Sequence, residues 1–318
     1  MDYAPVIIPT LCRFNHFKRC VDSLAKCHNA KNTLLYIFLD FPKREEHFVG
    51  YNKIKNYLPN LLGFKSVIII ERDENLGAVG NLYSGIDYTL KFHDRFILTE
   101  DDNEFSPNFL DYINTCLDQY AINDQVVAIT GYNRMIDMTG YDKNIYAAIS
   151  YSAWGVGFLK KDFQFLQEAV INTAYAEKIL KSWKSSHKIF MRSPSLLRGL
   201  LSILKTGGLA SDTLIVSYMI LNDKYCVWPS TSKVRNHGFD GGGEHFGSNP
   251  DHPMLTQEID SNSFFEPDKI KLKENEMIRL RMKQYAKAKQ PLFYRVLFEI
   301  YIPLRYLLYR LTGKVIFK

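Results

Sequence analysis

The sequence predicts an α/β fold: a mixed, mainly parallel sheet flanked by helices, with a helical basic tail at the C-terminus. In the first hundred residues, short apolar runs rich in β-branched residues alternate with amphipathic stretches, the pattern of βαβ units. Polar clusters directly follow these runs. The 318 residues are 46% hydrophobic and 23% charged, which provides a large core and excludes a disordered or collagen-like chain.

The elements of the first hundred residues can be assigned in order. The stretch at 14–28 places Phe14, Phe17, Cys20, Val21 and Leu24 on one helical stripe. The predicted series is strand PVIIPT, this helix, strand LLYIFLD, a helix at about 45–58, strand SVIIIER, a helix at about 82–91 and a fourth strand in RFILTEDD. The polar residues after these strands therefore gather at the carboxyl edge of one sheet, where open α/β sheets bind ligands.

The second half continues the same domain. Helix SPNFLDYINTCLDQY is expected to begin with Ser106 as its cap and Pro107 in its first turn. Strand QVVAITGY, a helical region at about 162–206 and the Gly-rich NHGFDGGGEHFG follow. We predict one domain over 1–250 with halves at about 1–104 and 105–250, a connecting helical segment at 251–290 and a tail at 291–318.

The cysteines and the N-terminus predict a reducing, cytoplasmic location. The five cysteines are odd in number and have no paired CxxC spacing, which favours neither disulfides nor a zinc site. The start MDYAPVIIPT has an acidic residue where a signal peptide needs basic ones, and Arg13 ends a short apolar run.

Three adjacent carboxylates, Glu100, Asp101 and Asp102, follow the strand RFIL. Their mutual repulsion costs stability unless a positive charge lies beside them. A hard divalent cation held by one or two carboxylates and by substrate phosphate oxygens supplies such a charge. The alternative for an isolated EDD sequence is a solvated acidic turn.

Several motifs in this order resemble the nucleotide-sugar glycosyltransferases of the GT-A (Rossmann-like) fold, specifically family-2-like bacterial enzymes and the related N-acetylglucosaminyltransferase I type. The resemblance covers about residues 4–247 and rests on APVIIPTLCRF, LDFP, ENLGAVGN, LTEDD and NHGFDGGGEH. It implies a nucleotide-binding half at about 1–104 and an acceptor half at about 105–250.

The resemblance also implies roles for individual residues at the donor. Asp40 hydrogen-bonds the nucleotide base, although a strand-end Asp is as often a cap or turn residue. Asp102 is the direct ligand of Mn²⁺ or Mg²⁺. The remaining implied donor residues are Thr10 and Arg13 in the nucleotide pocket, Arg72 with Asn75, Gly77 and Asn81 near the nucleotide and its phosphates, and Glu100 and Asp101 facing the ribose or donor sugar.

Further implied roles lie in the second half. Asp212, near Ser211 as the expected helix cap, is the base that takes the acceptor proton, with the helix dipole as an alternative reason for an Asp there. Trp154 and Gly155 border the donor sugar and acceptor, unless Trp154 is a core residue. In the Gly-rich loop, His245 is preferred over His237 for contact with the metal or the diphosphate, although a lone histidine in a loop is more often without a ligand.

The C-terminal tail carries the basic charge of the chain. From Arg279 onward there are ten Lys or Arg and only Glu299, about +9, which leaves about −3 of the total of +6 for the rest. The stretch from Pro291 is aromatic and apolar, and charges and Pro303 interrupt it. We expect it to lie on an anionic membrane surface, with packing on the domain or a partner chain as the alternative. Charge confined to the tail argues against nucleic acid as a partner.

These features together predict a metal-dependent, inverting hexosyl- or N-acetylhexosaminyltransferase. It would move a sugar from a nucleotide-diphosphate donor, preferably a UDP-sugar, to a glycan or lipid-linked glycan in surface polysaccharide synthesis at the inner face of the cell membrane. There are two alternatives. One is a sugar nucleotidyltransferase, but such enzymes need a Gly-rich basic loop after the first strand, and the segment PTLCRFNHF does not have one. The other is a non-catalytic glycan-binding scaffold with a degenerate GT-A fold.

Overall fold

A computed structural model describes residues 3–239, 249, 251–288 and 292–315. Its strands are β1 (Val6–Thr10), β2 (Leu34–Leu39), β3 (Ser66–Glu71), β4 (Arg95–Leu98), β5 (Asn103–Phe105), β6 (Val126–Thr130), β7 (Ile145–Ala148), β8 (Val156–Leu159), β9 (Tyr225–Pro229) and β10 (Val234–Asn236). Its helices are α1 (Phe14–Ala25), α2 (His47–Tyr57), α3 (Gly77–Thr89), α4 (Phe109–Gln119), α5 (Lys160–Phe165), α6 (Thr173–Lys181), α7 (Trp183–Arg192), α8 (Pro194–Thr206), α9 (Ser211–Asn222), α10 (Glu276–Ala288) and α11 (Leu292–Thr312).

Eight strands form one sheet in the order β3-β2-β1-β4-β8-β6-β9-β7. Four of its seven pairings are parallel, namely β2 with β3, β1 with β2, β1 with β4 and β6 with β9. The other three are antiparallel. This confirms the predicted α/β fold with a mixed, mainly parallel sheet.

Burial explains why the first strands are near-continuous apolar runs. Strands β1, β2 and β4 lie inside the sheet and are almost wholly buried, because helices cover both faces of a parallel sheet. Strand β3 is the edge strand and is largely exposed. Helix α1 buries Phe17, Cys20, Val21 and Leu24, the predicted stripe.

A second sheet of two short strands lies beside the large one. Strand β10 pairs antiparallel with β5, so that Asn236 faces Asn103 and Val234 faces Phe105. This pairing brings the segment after β9 against the acidic turn after β4.

Three expected helix starts were wrong. Helix α4 begins at Phe109 with Asn108 as its N-cap, and the Ser106 hydroxyl donates to Asn108 Oδ1 at 3.0 Å instead of capping the helix. Helix α3 begins at Gly77 rather than at about residue 82. Ser211 is the first residue of α9, and its cap position is Ala210, with no side-chain cap.

The C-terminal helix α11 packs on helices α6 and α8. Ile302, Tyr306 and Tyr309 of α11 are buried, and the Tyr306 hydroxyl donates to the carbonyl of Leu180 at 3.2 Å. The preceding segment is helical at Pro253–Thr256 and in α10. Within the described ranges, no helix combines the length and apolar character needed to cross a membrane. The domain boundaries stay a prediction.

Candidate active site at the carboxyl edge of the sheet

The carboxyl ends of β1, β2 and β4 bring three polar segments to one edge of the sheet. Thr10 ends β1, and Asp40 follows β2 directly. After β4, Thr99 leads into the acidic turn of Glu100, Asp101 and Asp102. Because all three strands run parallel, these segments face the same side. This is the arrangement that the strand order predicts.

Arg13 is the shared counter-ion of the two buried acids of the turn. Its guanidinium pairs with Asp101 Oδ1 and lies 3.0 Å from Asp102 Oδ2. The Thr10 hydroxyl donates to Asp101 Oδ2 at 2.7 Å. Burial lowers the pKa of Arg13, but Asp101 and Asp102 outweigh it and raise that pKa, so the guanidinium stays charged.

The two-stranded sheet closes over Asp102. The Asn236 amide donates to Asp102 Oδ1 at 2.7 Å, and the His237 amide donates to the Asp102 carbonyl at 2.9 Å. A Cβ on Gly238 would lie 2.5 Å from Asp102 Oδ2, so only glycine permits this close approach. Both oxygens of Asp102 therefore have fixed protein partners.

Glu100 is the acid of the turn that remains accessible. Its side chain reaches solvent, although many protein atoms surround it. Desolvation and the neighbouring charge of Asp102 raise its pKa to about 8, and Asp101 and Asp212 act in the same direction. Among the charges that act on Glu100, three carboxylates raise its pKa and the Arg13 guanidinium lowers it.

These residues suit a hard divalent cation in charge and in donor type. The surplus of carboxylate charge favours a cation, and carboxylate oxygens are the ligands that Mg²⁺ and Mn²⁺ prefer. In the described ranges, no three His, Cys, Asp or Glu side chains converge closely enough to hold a metal ion by themselves. A cation here would thus depend on one or two of these acids together with oxygens of a bound ligand.

Asp40 organises the loop before α3. Its Oδ1 accepts from the backbone amides of Phe41 at 3.0 Å and Leu76 at 2.9 Å. Its Oδ2 accepts from the Asn75 side chain at 3.2 Å, and Asn75 also donates to the Phe41 carbonyl at 2.6 Å. These contacts support the alternative that Asp40 is a turn residue. A hydrogen bond from Asp40 to a nucleotide base stays a prediction.

Arg72 and Asn81 form a second fixed pair beside that loop. Arg72 Nε donates to Asn81 Oδ1 at 2.9 Å, and its guanidinium lies 5.1 Å from the centre of the Phe38 ring. Asn81 is buried and donates to the Phe38 carbonyl at 2.8 Å. Gly77 begins α3 with φ of +71°, a conformation that favours glycine. This frame holds the loop Asn75–Asn81 at the sheet edge.

Trp154 and Gly155 differ in what they contact. Trp154 is half-buried and meets Tyr132 edge-on, with ring centroids 4.7 Å apart. Gly155 is buried with φ of +62°, and a Cβ there would lie 2.8 Å from Phe109 and 2.9 Å from Val234. Gly155 therefore allows Phe109 and Val234 to pack against the backbone, while part of the Trp154 side chain remains accessible.

Asp212 lies in the first turn of α9 and is exposed. Its charge contributes to the raised pKa of Glu100 and to that of Tyr83. The structure therefore brings Asp212, from the second half of the chain, into electrostatic contact with the acidic turn of the first half.

Of the two histidines of the Gly-rich loop, only His237 lies within the described residues. His245 lies outside the described residues. His237 Nε2 lies 2.7 Å from Glu104 Oε2, a contact that is the largest cause of the lowered pKa of Glu104. His16 Nε2 lies 3.2 Å from the His237 carbonyl. His237 is thus held beside the acidic turn.

The sequence did not single out Asn236 or Gly238 as site residues. Asn236 also donates to Asn103 Oδ1 at 3.0 Å, which ties the two short strands together next to Asp102. The Gly-rich composition after position 236 was the available signal, because glycine marks places where backbone approaches another group closely.

Comparison with known proteins gives structural similarities of low score. No protein-family model and no curated protein matches the sequence. Three similar solved structures are S. aureus TarS 1-349 (12% identity, 52% of this chain, 48% of that chain, TM-score 0.35), HddC from Yersinia pseudotuberculosis (11%, 50%, 77%, 0.32) and the mannosyltransferase PcManGT from Pyrobaculum calidifontis in complex with GDP-Man and Mn²⁺ (11%, 98%, 88%, 0.40). The chain spans about half the length of TarS 1-349. With TM-scores below 0.5, the fold class rests on the strand order of this chain alone.

Proposed function

We propose that the chain is a metal-dependent, inverting glycosyltransferase that moves a sugar from a nucleotide-diphosphate donor to a hydroxyl group. The observation that carries the proposal is the acidic turn Glu100–Asp102 at the carboxyl edge of the sheet, where Arg13 pairs with Asp101 and Asp102 and the Asn236 side chain holds Asp102. Acids that hold a cation beside the diphosphate, together with an accessible base, are the groups that such a transfer needs.

The acidic turn is the donor side of this proposal. A divalent cation held by Asp102 and Glu100 would offset the negative charge that grows on the departing diphosphate. Asp101 acts indirectly, because Thr10 and Arg13 bind its two carboxylate oxygens. Arg72 and the loop from Asn75 to Asn81 lie beside the nucleotide, and Asp40 fixes that loop.

Asp212 is the base on the acceptor side. Its carboxylate takes the proton of the acceptor hydroxyl while that oxygen forms a bond to the anomeric carbon. The bond from the anomeric carbon to the diphosphate oxygen breaks, and the nucleoside diphosphate leaves with the bonding electrons. Attack opposite to the leaving group inverts the anomeric carbon, and Trp154 offers an aromatic face for the apolar side of a sugar ring.

The finer parts of the proposal are a UDP-linked hexose or N-acetylhexosamine as donor and a glycan or lipid-linked glycan as acceptor. The basic charge gathered in the tail supports work at an anionic membrane surface, as in surface polysaccharide synthesis at the inner face of the cell membrane.

The first experiment is calorimetric titration of UDP and of GDP into the full chain, with Mn²⁺ and with EDTA. We expect binding that requires Mn²⁺ and is lost in Asp102→Asn. The matched control is Asp124→Asn, which changes an exposed Asp before β6, at the opposite edge of the sheet. Tight binding with EDTA would overturn the metal dependence, and failure of every nucleotide would favour the glycan-binding scaffold.

The base is tested separately by Asp212→Asn. We expect transfer to fall by roughly a hundredfold to ten-thousandfold, the usual contribution of a general base, with nucleotide binding unchanged. Asp162→Asn is the control, because Asp162 also lies in the first turn of a helix, α5. Equal loss in both variants would mean that Asp212 acts through its helix rather than on the acceptor.

A further inference from the structure

Helix α11 carries an apolar stripe that faces solvent. Ile300, Leu304, Leu307 and Leu311 are between 47% and 74% exposed. Their spacing of four, three and four residues sets them on one side of a helix. Such a continuous row differs from the isolated exposed apolar residues that are normal on protein surfaces.

The stripe points away from the body of the protein. Ile302, Tyr306 and Tyr309 are buried against the fold, and the helix contacts α6 and α8. At about 100° per residue, the buried residues lie on the side of α11 opposite to the stripe. The stripe is therefore available to a flat partner without any rearrangement of the helix.

The junction of α6 and α7 runs along one flank of the stripe. The Trp183 ring, 62% exposed, lies 5.8 Å from the Tyr306 ring, and the Arg310 guanidinium donates to the Lys181 carbonyl. Lys184 is exposed next to Trp183. An aromatic side chain with basic neighbours at the edge of an apolar stripe is typical of membrane-interface surfaces.

The net charge of the segments around this surface is positive. Segment 173–206, which spans α6 to α8, contains seven Lys or Arg and one acid, Glu177. Segment 292–315 contains four Lys or Arg and Glu299. Three of these basic residues have acidic partners: Lys181 pairs with Glu177, Lys188 with Asp223 and Arg192 with Glu274. The sum of the charges stays positive, so a negatively charged partner suits this surface.

We propose that the α11 stripe, Trp183 and the basic α6–α7 junction together form a docking surface for an anionic lipid bilayer. The apolar stripe enters the headgroup region, and the lysines and arginines remain among the lipid phosphates. The surface thus includes residues about 110 positions before the tail, which the sequence did not connect with it. The inference does not depend on the proposed glycosyl transfer.

A second copy of the chain fits this surface poorly. A symmetric dimer through the stripe would place two basic surfaces against each other, which costs free energy. A spanning helix is also not the explanation, because no helix in the described part of the chain qualifies.

The test is co-sedimentation of the full chain with vesicles of phosphatidylcholine containing phosphatidylserine, and with vesicles of phosphatidylcholine alone. We expect binding to the anionic vesicles that weakens with added salt. The double variant Leu304→Glu, Leu307→Glu should lower the partition coefficient by about a hundredfold or more, since two apolar anchors become anionic. The matched control is the double variant Leu62→Glu, Ile122→Glu, which adds the same two acids at exposed apolar sites far from α11 in the sequence.

A second pair of variants tests the α6–α7 flank. Lys184→Glu should weaken vesicle binding by roughly tenfold, whereas Lys53→Glu on α2, also exposed, should not. Binding of the stripe variant equal to wild type, or equal binding to neutral vesicles, would overturn the proposal. So would a dimer in sedimentation velocity that the stripe variant dissociates. Nucleotide calorimetry on the same variants keeps this result separate from the proposed activity.

Discussion

Arg13 has the position of an internal counter-ion for the acidic turn. Two buried carboxylates, Asp101 and Asp102, share this one guanidinium. Removing a single partner from a buried ion pair leaves an uncompensated charge, which costs far more than the pair itself contributes. The residue therefore links the stability of the fold to the electrostatics of the candidate site.

The substitution Arg13→Gln tests this link. We expect the free energy of unfolding to fall by about 2–4 kcal/mol, because both acids lose their counter-charge. Mn²⁺ should raise the melting temperature of this variant more than that of wild type, since the cation replaces the lost charge. Arg19→Gln, an exposed position on the same helix α1, is the control for thermal unfolding with and without Mn²⁺. Equal responses of the two variants to Mn²⁺ would contradict the counter-ion role.

Gly155 is fixed by packing as well as by its backbone conformation. In Gly155→Ala the new methyl group meets Phe109 and Val234, and φ of +62° disfavours any Cβ. We expect a loss of about 3 kcal/mol, from the left-handed conformation and from overpacking together. Gly207→Ala has a similar φ of +70° with open space around the Cβ, so it should lose only about 1 kcal/mol. Urea unfolding measures both, and similar losses would show that backbone conformation alone matters.

At the scale of the elements, segment 253–275 is joined to the second half of the chain by polar contacts. Arg235 Nε donates to the Gln257 carbonyl at 2.7 Å, and the backbone amide of Asn144 donates to Asp268 Oδ2 at 2.8 Å. Lys233 is buried and pairs with Asp260, which also accepts from Asn108 at 3.0 Å. The segment therefore holds β10, and with it the wall over Asp102.

The Lys233–Asp260 pair makes stability depend on acid pH. Burial raises the pKa of Asp260, but hydrogen bonds from Asn108 and Lys233 outweigh it, so the folded pKa lies below the unfolded value. Its contribution is thus fully present above about pH 4 and is lost as the pH falls through the lower folded pKa. Asp260→Asn should cost about 3 kcal/mol at neutral pH, and this difference from wild type should shrink towards about pH 3.

Urea unfolding at several pH values measures this difference. Asp142→Asn is the control, because Asp142 is exposed and lies in a different loop. A loss that stays constant from neutral to acid pH would show that the contacts of Asp260 do not depend on its charge.

The elements that the sequence predicted are those with a strong local signal. Strands β1, β2 and β4 are continuous apolar runs because they are buried on both faces, and the polar residue after each run marks the sheet edge. The β5–β10 pair joins residues 103–105 and 234–236, and three-residue strands that far apart have no periodic pattern to detect. The Asn236 contact to Asp102 depends on that pairing, so sequence reasoning missed it.

Local rules also failed where tertiary contacts decided the outcome. Ser106 has the sequence features of a helix cap, but its amide donates to the Lys233 carbonyl at 2.9 Å, which holds it in the chain leading from β5. The helix then starts at Phe109. The role of Gly155 in packing was likewise invisible, because its neighbours Phe109 and Val234 lie 46 and 79 positions away.

At the scale of the whole molecule, α11 belongs to the core as well as to the surface. Ile302, Tyr306 and Tyr309 complete the packing of α6 and α8, and α8 leads through an exposed loop to Asp212. A tail that only touched a membrane would have no such buried face. Helix α8 therefore links the candidate base Asp212 to the surface that α11 presents.

A chain ending at residue 290 should consequently be less stable than the full chain, rather than simply lacking a tail. Loss of three buried side chains, at about 1.5–3 kcal/mol each, predicts a lower melting temperature and faster proteolysis within α6–α8. A chain ending after Thr312 keeps all of α11 and should melt like the full protein. If the two shortened chains melt alike, the packing of α11 contributes nothing to the fold. If only the first is destabilised, point substitutions on the exposed stripe, and not truncation, are the valid way to separate membrane docking from folding.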